Sequence, residues 1–339
     1  MTKWLIAVLI ITSLPYHKTS ATKYAGEFLT LGMGARAAGL GGAYSSVVDD
    51  ASAPYWNPAG IAHVDRREVL LMHSEVFGGV IAYDCVGFVV PTQNSGFGVN
   101  LFRLAIQDIP FTGDLEYEDW GIDGIPDTGD EGEGNGRFDP GELLIYDENR
   151  IQRVTNSDMA LFLCYGWSFS NGLSIGATVK GIRREIGSYS AYGSGADLGV
   201  MYSPTEAFTL ALNLQDITTT FISWSTGRWE KVLPTVKFGV SSHYPVQQLQ
   251  GTILLAIDQD IRFEGREETS QFSAGRVSDD FRLGAEYAYN EVVSVRLGLE
   301  YGQLTAGLGV TYKNYTVDYA FLSHPDLRGS YRLSASAVF

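Results

Sequence analysis

From residue 67 onward the chain alternates apolar with small or polar side chains, in segments of roughly nine to eleven residues. Val293, Val295, Leu297, Leu299 and Tyr301 fall on one face; Ser294, Arg296, Gly298 and Glu300 fall on the other. Just upstream, Phe281, Leu283, Ala285, Tyr287 and Tyr289 oppose Arg282, Gly284 and Glu286. The same period runs through Leu173, Ile175, Ala177 and Val179, and again through Phe208, Leu210, Leu212 and Leu214. Successive side chains of a strand point to opposite faces, so each segment reads as a strand with one apolar face. Its length is what a tilted strand needs to cross a bilayer, ~9–11 residues.

Soluble sandwiches alternate too, and the connections separate the two cases. Fourteen candidate strands lie near 67–77, 79–90, 95–104, 155–168, 172–185, 194–203, 206–215, 232–244, 250–262, 279–289, 291–301, 304–312, 314–322 and 329–339. Connections after even-numbered strands are short, as at Asn171-Gly172, Pro204-Thr205, Asn290 and Lys313. Most of those after odd-numbered strands are longer: 105–154, 186–193, 216–231, 263–278 and 323–328. Short turns on one side and long loops on the other are the habit of outer-membrane barrels. Tyr202, Tyr244, Tyr287, Tyr301, Tyr312 and Tyr315 sit near strand ends, where such barrels carry aromatic girdles. The last strand puts Tyr331, Leu333, Ala335, Ala337 and Phe339 on one face. The fold expected is all-β: a transmembrane antiparallel β-barrel of about 14 strands over residues 67–339, with the lipid bilayer of the outer membrane around it.

The N-terminus reads as an address. Residues 1–21 carry Lys3, an 11-residue apolar run from Trp4 to Leu14, and the small-residue site Thr19-Ser20-Ala21. That run is too short to span a bilayer, which takes ~20 residues, so a cleaved signal peptide and a bacterial outer-membrane location are expected. Cys85 and Cys164 fall on non-adjacent candidate strands and read as small apolar wall residues, not as a disulfide.

Residues 22–66 differ in kind. They are rich in glycine and alanine and show no alternation; their small residues allow close backbone packing, and Asn57-Pro58 favours a turn. A compact hatch inside the barrel is expected, faced by the inward charges Lys180, Asp197, Lys237, Arg282, Glu286, Arg296, Glu300 and Asp318. The run Leu29 to Tyr44, with Gly32, Gly34, Arg36, Gly39, Gly41 and Gly42, resembles the PorV/PorQ family. Asp49-Asp50-Ala51 and the stretch Tyr55-Trp56-Asn57-Pro58-Ala59-Gly60 share the resemblance. That family belongs with the FadL-like fourteen-stranded outer-membrane barrels. The resemblance implies an N-terminal hatch plugging the barrel. It also implies either a type IX-like protein secretion role, docking exported proteins at the cell surface with secretion-machine subunits as partners, or FadL-like uptake of hydrophobic small molecules. Secretion is the leading expectation and uptake the alternative.

Charge is concentrated in one place. The whole chain carries −15, yet residues 114–148 hold 13 acidic residues and one basic residue, Arg137. By loop parity this insertion is extracellular, and the rest of the chain is close to neutral. A balance of this sign excludes a nucleic-acid surface, which needs clustered Lys and Arg. Glu131, Glu133, Asn135, Asp139 and Glu142 occupy positions 1, 3, 5, 9 and 12 of a twelve-residue register, with Gly136 at 6 and the Arg137 carbonyl at 7. An EF-hand-type calcium loop asks for that spacing. Asp119, Asp123, Asp127 and Asp130 repeat the register just before it, with Gly121 at position 3 and no flanking helix in either repeat. Calcium is the cofactor expected, and a solvated acidic loop is the alternative.

Other features carry less. The five histidines, His17, His63, His73, His243 and His324, show no metal-ligand spacing, and no nucleophile motif is present, so no enzyme is expected. Phe221, Trp224 and Trp229 fall in an outward connection, where they suit partner or ligand contact or an extension of the girdle.

Overall fold

A computed structural model describes residues 26–111, 118–143, 145, 151–264, 266, 270–324 and 329–339. The signal peptide expected at 1–21, hatch residues 22–25 and parts of the acidic insertion lie outside these residues. Seventeen strands form among the described residues. They begin with β1 (Glu68–Val76), β2 (Ile81–Pro91), β3 (Ser95–Phe111), β4 (Gln152–Ser168), β5 (Leu173–Ile186), β6 (Tyr189–Thr205) and β7 (Phe208–Gln215). Next come β8 (Thr220–Trp224), β9 (Trp229–Val232), β10 (Thr235–Val246), β11 (Gly251–Arg262) and β12 (Phe272–Ala274). The chain ends with β13 (Val277–Tyr289), β14 (Val293–Glu300), β15 (Gln303–Tyr312), β16 (Tyr315–Leu322) and β17 (Ser330–Val338).

Fourteen of these make the wall: β1 to β7, β10, β11 and β13 to β17. All pairings are antiparallel, and β17 returns to β1 with Glu68 opposite Val338, so the barrel closes without a free edge. β8 and β9 form a hairpin that adds to β6, and β12 adds to β13. Burial alternates along each wall strand. Outward apolar residues stay uncovered, for example Val179 at 61% and Leu297 at 55% exposed. A continuous apolar exterior of this size needs lipid around it. Cys85 and Cys164 are free, buried and on the non-adjacent strands β2 and β4.

Four details differ from the sequence reading. β3 and β4 stay paired out to Phe111 opposite Gln152, past a register shift between Ile106 and Ile109. β5 and β6 stay paired to Ile186 opposite Tyr189, so the connection expected at 186–193 is a tight turn. Both ladders run on because backbone bonds continue after the side chains leave the apolar band, where alternation fades. The outward connection at 216–231 is largely the β8–β9 hairpin. Tyr301 does not join a girdle: it turns inward at φ 51°, and the Arg282 guanidinium lies 4.7 Å from its ring centre. Tyr244, Tyr312 and Tyr315 do stand exposed at the short-turn end.

Candidate functional site

The lumen is filled from 26 to 64 by short helical turns at Glu27–Leu31, Ala35–Gly39, Ala53–Trp56 and Pro58–His63. Glycine lets this hatch touch the wall backbone to backbone. A Cβ on Gly41 would come within 2.7 Å of the Leu299 nitrogen, and one on Gly298 within 2.2 Å of the Gly41 nitrogen. Gly39 faces Gly307, Gly42 faces the Arg282 side chain, and Gly32 faces the Trp56 ring. The Gly34 N–H points at the Met72 sulfur at 3.1 Å.

Inward polar residues of the wall complete the anchorage. The N–H groups of Tyr44 and Ser45 donate to Asp258 at 3.1 and 2.8 Å. Arg36 pairs with Asp49 at 2.8 Å and with Glu286 at 3.1 Å. Glu286 is also held by Arg296, which reaches on to Asp318 at 2.6 Å. Asp50 accepts from the Tyr44 hydroxyl at 2.6 Å and from the Ser52 N–H at 2.8 Å. The Trp56 indole donates to the Met33 carbonyl at 2.8 Å. The Asn57 amide donates to the Ser45 carbonyl at 3.0 Å, and its side-chain oxygen caps the Ala59 N–H at 3.1 Å. Pro58 fits where Gly176 and Gly199 leave room. The hatch motif is therefore a set of packing and anchoring residues.

Above the hatch, at the long-loop end, lies a recess of about 740 Å³ counted out to solvent. Leu29, Tyr55, Phe162 and Val232 give it apolar walls. Its polar groups are paired among themselves. Lys180 sits 2.7 Å from Asp197 and 2.5 Å from Asp216. Asp260 gathers Arg282 at 2.5 Å, Arg262 at 3.6 Å and Lys237 at 3.7 Å. Burial pushes the Glu264 carboxyl at the rim above its usual range, against the pull of the Leu233 N–H and of Arg262. From the recess an aromatic series leads inward. Tyr55 and Phe162 stack at 6.4 Å, Phe162 and Phe102 meet at 4.9 Å, and Phe102 and Tyr83 at 6.5 Å. Asp258, Asp260 and the rings of Tyr83, Phe102 and Phe162 were not singled out from sequence, whereas Tyr55 stood in the hatch motif; inward register on alternating strands was the available signal for the others.

The acidic loop is folded over 118–143. Asp123 and Asn135, both at position 5 of their repeats, cap the N–H two residues on at 2.8 and 2.7 Å. Glu133 accepts from the N–H groups of Asp127 and Gly129, and Asp139 accepts from the Asn135 amide at 2.8 Å. Glu131 and Arg137 are exposed. Among the described residues no three of His, Cys, Asp or Glu converge on a common point. Of the aromatics at the β8–β9 hairpin, Trp229 is 65% and Phe221 41% exposed, whereas the Trp224 ring packs under the Arg184 guanidinium at 5.5 Å.

Comparison with known proteins gives one family and one fold. The family described as "Uncharacterised protein family (UPF0164)" matches residues 10–201, more than half of the chain. The chain belongs to UPF0164. No curated protein matches this UPF0164 chain in sequence. Among solved structures it is similar to the Pseudomonas putida toluene transporter TodX, at TM-score 0.58 and 12% identity over 91% of this chain and 99% of that one. The monoaromatic hydrocarbon channel CymD is similar at TM-score 0.56 and 11% identity, over 91% of this chain and 98% of that one. A Pseudomonas aeruginosa FadL homologue is similar at TM-score 0.52 and 11% identity, over 88% and 96%. At these identities the likeness establishes the fold: this UPF0164 protein is a closed, FadL-like, fourteen-stranded antiparallel barrel.

Proposed function

We propose that this UPF0164 protein is an outer-membrane channel for small hydrophobic molecules, not an enzyme. One observation carries the reading: a buried series of packed rings, Tyr55, Phe162, Phe102 and Tyr83, runs inward from the recess at the long-loop end. The recess itself is lined mostly by charged and polar side chains, and the rings beneath it are the apolar surface that a small apolar ligand would need. Barrels of the same fold are named for toluene and monoaromatic hydrocarbons, which supports this class of cargo. The short-turn end would face the periplasm and the long loops the exterior.

Docking of exported proteins, as in the PorV/PorQ type, is the second reading. It is supported by the hatch motif and by the exposed Trp229 and Phe221 on the added hairpin. Deleting the gene separates the two. The channel reading expects slower uptake of radiolabelled toluene with an unchanged set of secreted proteins. Normal uptake together with loss of secreted proteins would overturn it in favour of docking.

A further inference from the structure

We propose that residues 119–142 of the long β3–β4 connection form a calcium-binding site, independent of what the barrel transports. The ligand chemistry is set by composition: between 118 and 143 there is no Cys or His, and the donors are carboxylate, amide and backbone oxygens. Such hard oxygen donors suit calcium, which takes six to eight of them, better than magnesium, which demands near-ideal octahedral geometry.

The observation that points to an ion is a set of orphaned oxygens. Asp119 Oδ1, Asp130 Oδ1 and Glu142 Oε1 are buried and accept no hydrogen bond. Glu142 itself is 9% exposed. In each case the sister oxygen is held by a backbone N–H: Asp119 Oδ2 by Gly136 at 2.6 Å, Asp130 Oδ2 by Asp123 at 2.7 Å, and Glu142 Oε2 by Asp139 at 2.9 Å. Each carboxylate is thus oriented through one oxygen while the other meets no hydrogen-bond donor. A buried carboxylate oxygen left this way is costly, and a cation relieves it.

These three residues are position 1 of the first twelve-residue repeat and position 12 of both, the places where the spacing asks for its principal carboxylates. The departure from the motif also has a reason. A Cβ on Gly121 would lie 1.9 Å from Asp130 Oδ1, and one on Gly132 1.9 Å from Glu142 Oε1. Gly121 therefore stands where a ligand was expected because a neighbouring carboxylate oxygen occupies that space. Since the carboxylates do not yet converge, binding has to draw the two repeats together. Affinity should then fall with extracellular calcium modules, at about 10⁻⁴–10⁻³ M.

The test uses the full chain in detergent micelles. Calcium alone should slow trypsin cleavage after Arg137 at least tenfold relative to chelator, and magnesium should not. Terbium should show luminescence sensitised by Trp120, the neighbour of Asp119, and calcium should displace it. Replacing Asp119→Asn, Asp130→Asn and Glu142→Gln together should abolish both effects while the barrel keeps its heat-modifiable migration on gels. Equal cleavage in calcium and chelator overturns the proposal. So does equal protection by magnesium, or terbium luminescence unchanged in the triple variant.

Discussion

The two flanks of the lumen hold the hatch by opposite means. Against β11 and β13 to β16 the contact is backbone to backbone through Gly41 and Gly298, and ionic through Arg36, Glu286 and Arg296. Against β3 and β4 it is made largely of rings, Tyr55 on Phe162 and Phe102, beside single hydrogen bonds from Asn100 to the Ala51 carbonyl at 2.7 Å and from Thr178 on β5 to the Pro54 carbonyl at 3.0 Å. Only towards their short-turn ends do β3 to β6 return to glycine contacts, where Gly166, Gly176 and Gly199 receive residues 57–61. Directional bonds and close approach fix the hatch in one place. Ring contacts can be exchanged for contacts with an apolar ligand at little cost, whereas parting Arg36 from Glu286 strips one partner from a largely buried ionic network. The aromatic flank is the side on which the proposed channel can open.

The largest effect should come from the ionic flank. Replacing Glu286→Leu leaves Arg36 and Arg296 without their shared carboxylate, and should cost about 3–5 kcal/mol in urea unfolding from micelles. A loss under about 1 kcal/mol would mean that the hatch is not anchored there. Next comes Phe162→Ala on the aromatic flank. A sealed core phenylalanine costs ~3–5 kcal/mol, but a cavity that merges with an existing recess costs less. The expectation is a stability loss below that range together with faster toluene entry. A full core-sized loss with unchanged entry would reduce the rings to packing.

The unequal flanks also explain what the sequence revealed. The wall was legible because each strand separates two environments, lipid outside and a polar lumen inside, and a period of two writes that difference residue by residue. The inward charges Lys180, Arg282, Glu286 and Arg296 could be named for the same reason, and the structure sets Arg282 opposite Glu300 and Glu286 opposite Arg296 across β13 and β14. The packed aromatic series was not legible: Tyr83, Phe102 and Phe162 are apolar residues on strands already rich in them, and only closure of the barrel brings them together. The β8–β9 hairpin escaped because Thr220–Trp224 and Trp229–Val232 are short and lie beyond the apolar band. The orphaned oxygens of the acidic loop are likewise a property of folding, since spacing names donors without saying which of them the backbone satisfies.

A smaller effect tests the glycine contacts alone. Gly298→Ala puts a methyl group against the nitrogen of Gly41, at 2.2 Å before relaxation, and the β14 backbone cannot step aside within a closed ladder. The expected loss is about 1–3 kcal/mol, the usual cost of overpacking, with the hatch becoming accessible to protease from the short-turn side. Gly181→Ala on β5 meets nothing within 4 Å and serves as the control. Equal losses in the two variants would show that strand propensity, not the hatch, sets the cost.

The smallest effect is a pH dependence at the short-turn end of the hatch. Burial lowers the affinity of His63 for a proton below its ordinary value of about 6.5, although Asp49 and Asp65 pull the other way. Its Nε2 is buried without a hydrogen-bond partner, which agrees with a neutral ring. Between the folded and the ordinary value the unfolded chain binds the extra proton, so stability rises with pH across that window. It is complete above about 6.5, declines as pH falls below it, and changes no further once the folded ring is charged. Midpoints of thermal unfolding should therefore drop on mild acidification in the wild type, and drop less in His63→Gln, which keeps a polar side chain but cannot charge. An equal drop in both would assign the acid sensitivity to the carboxylates of the ionic flank, and would remove His63 as a reporter of how tightly the hatch closes the short-turn side.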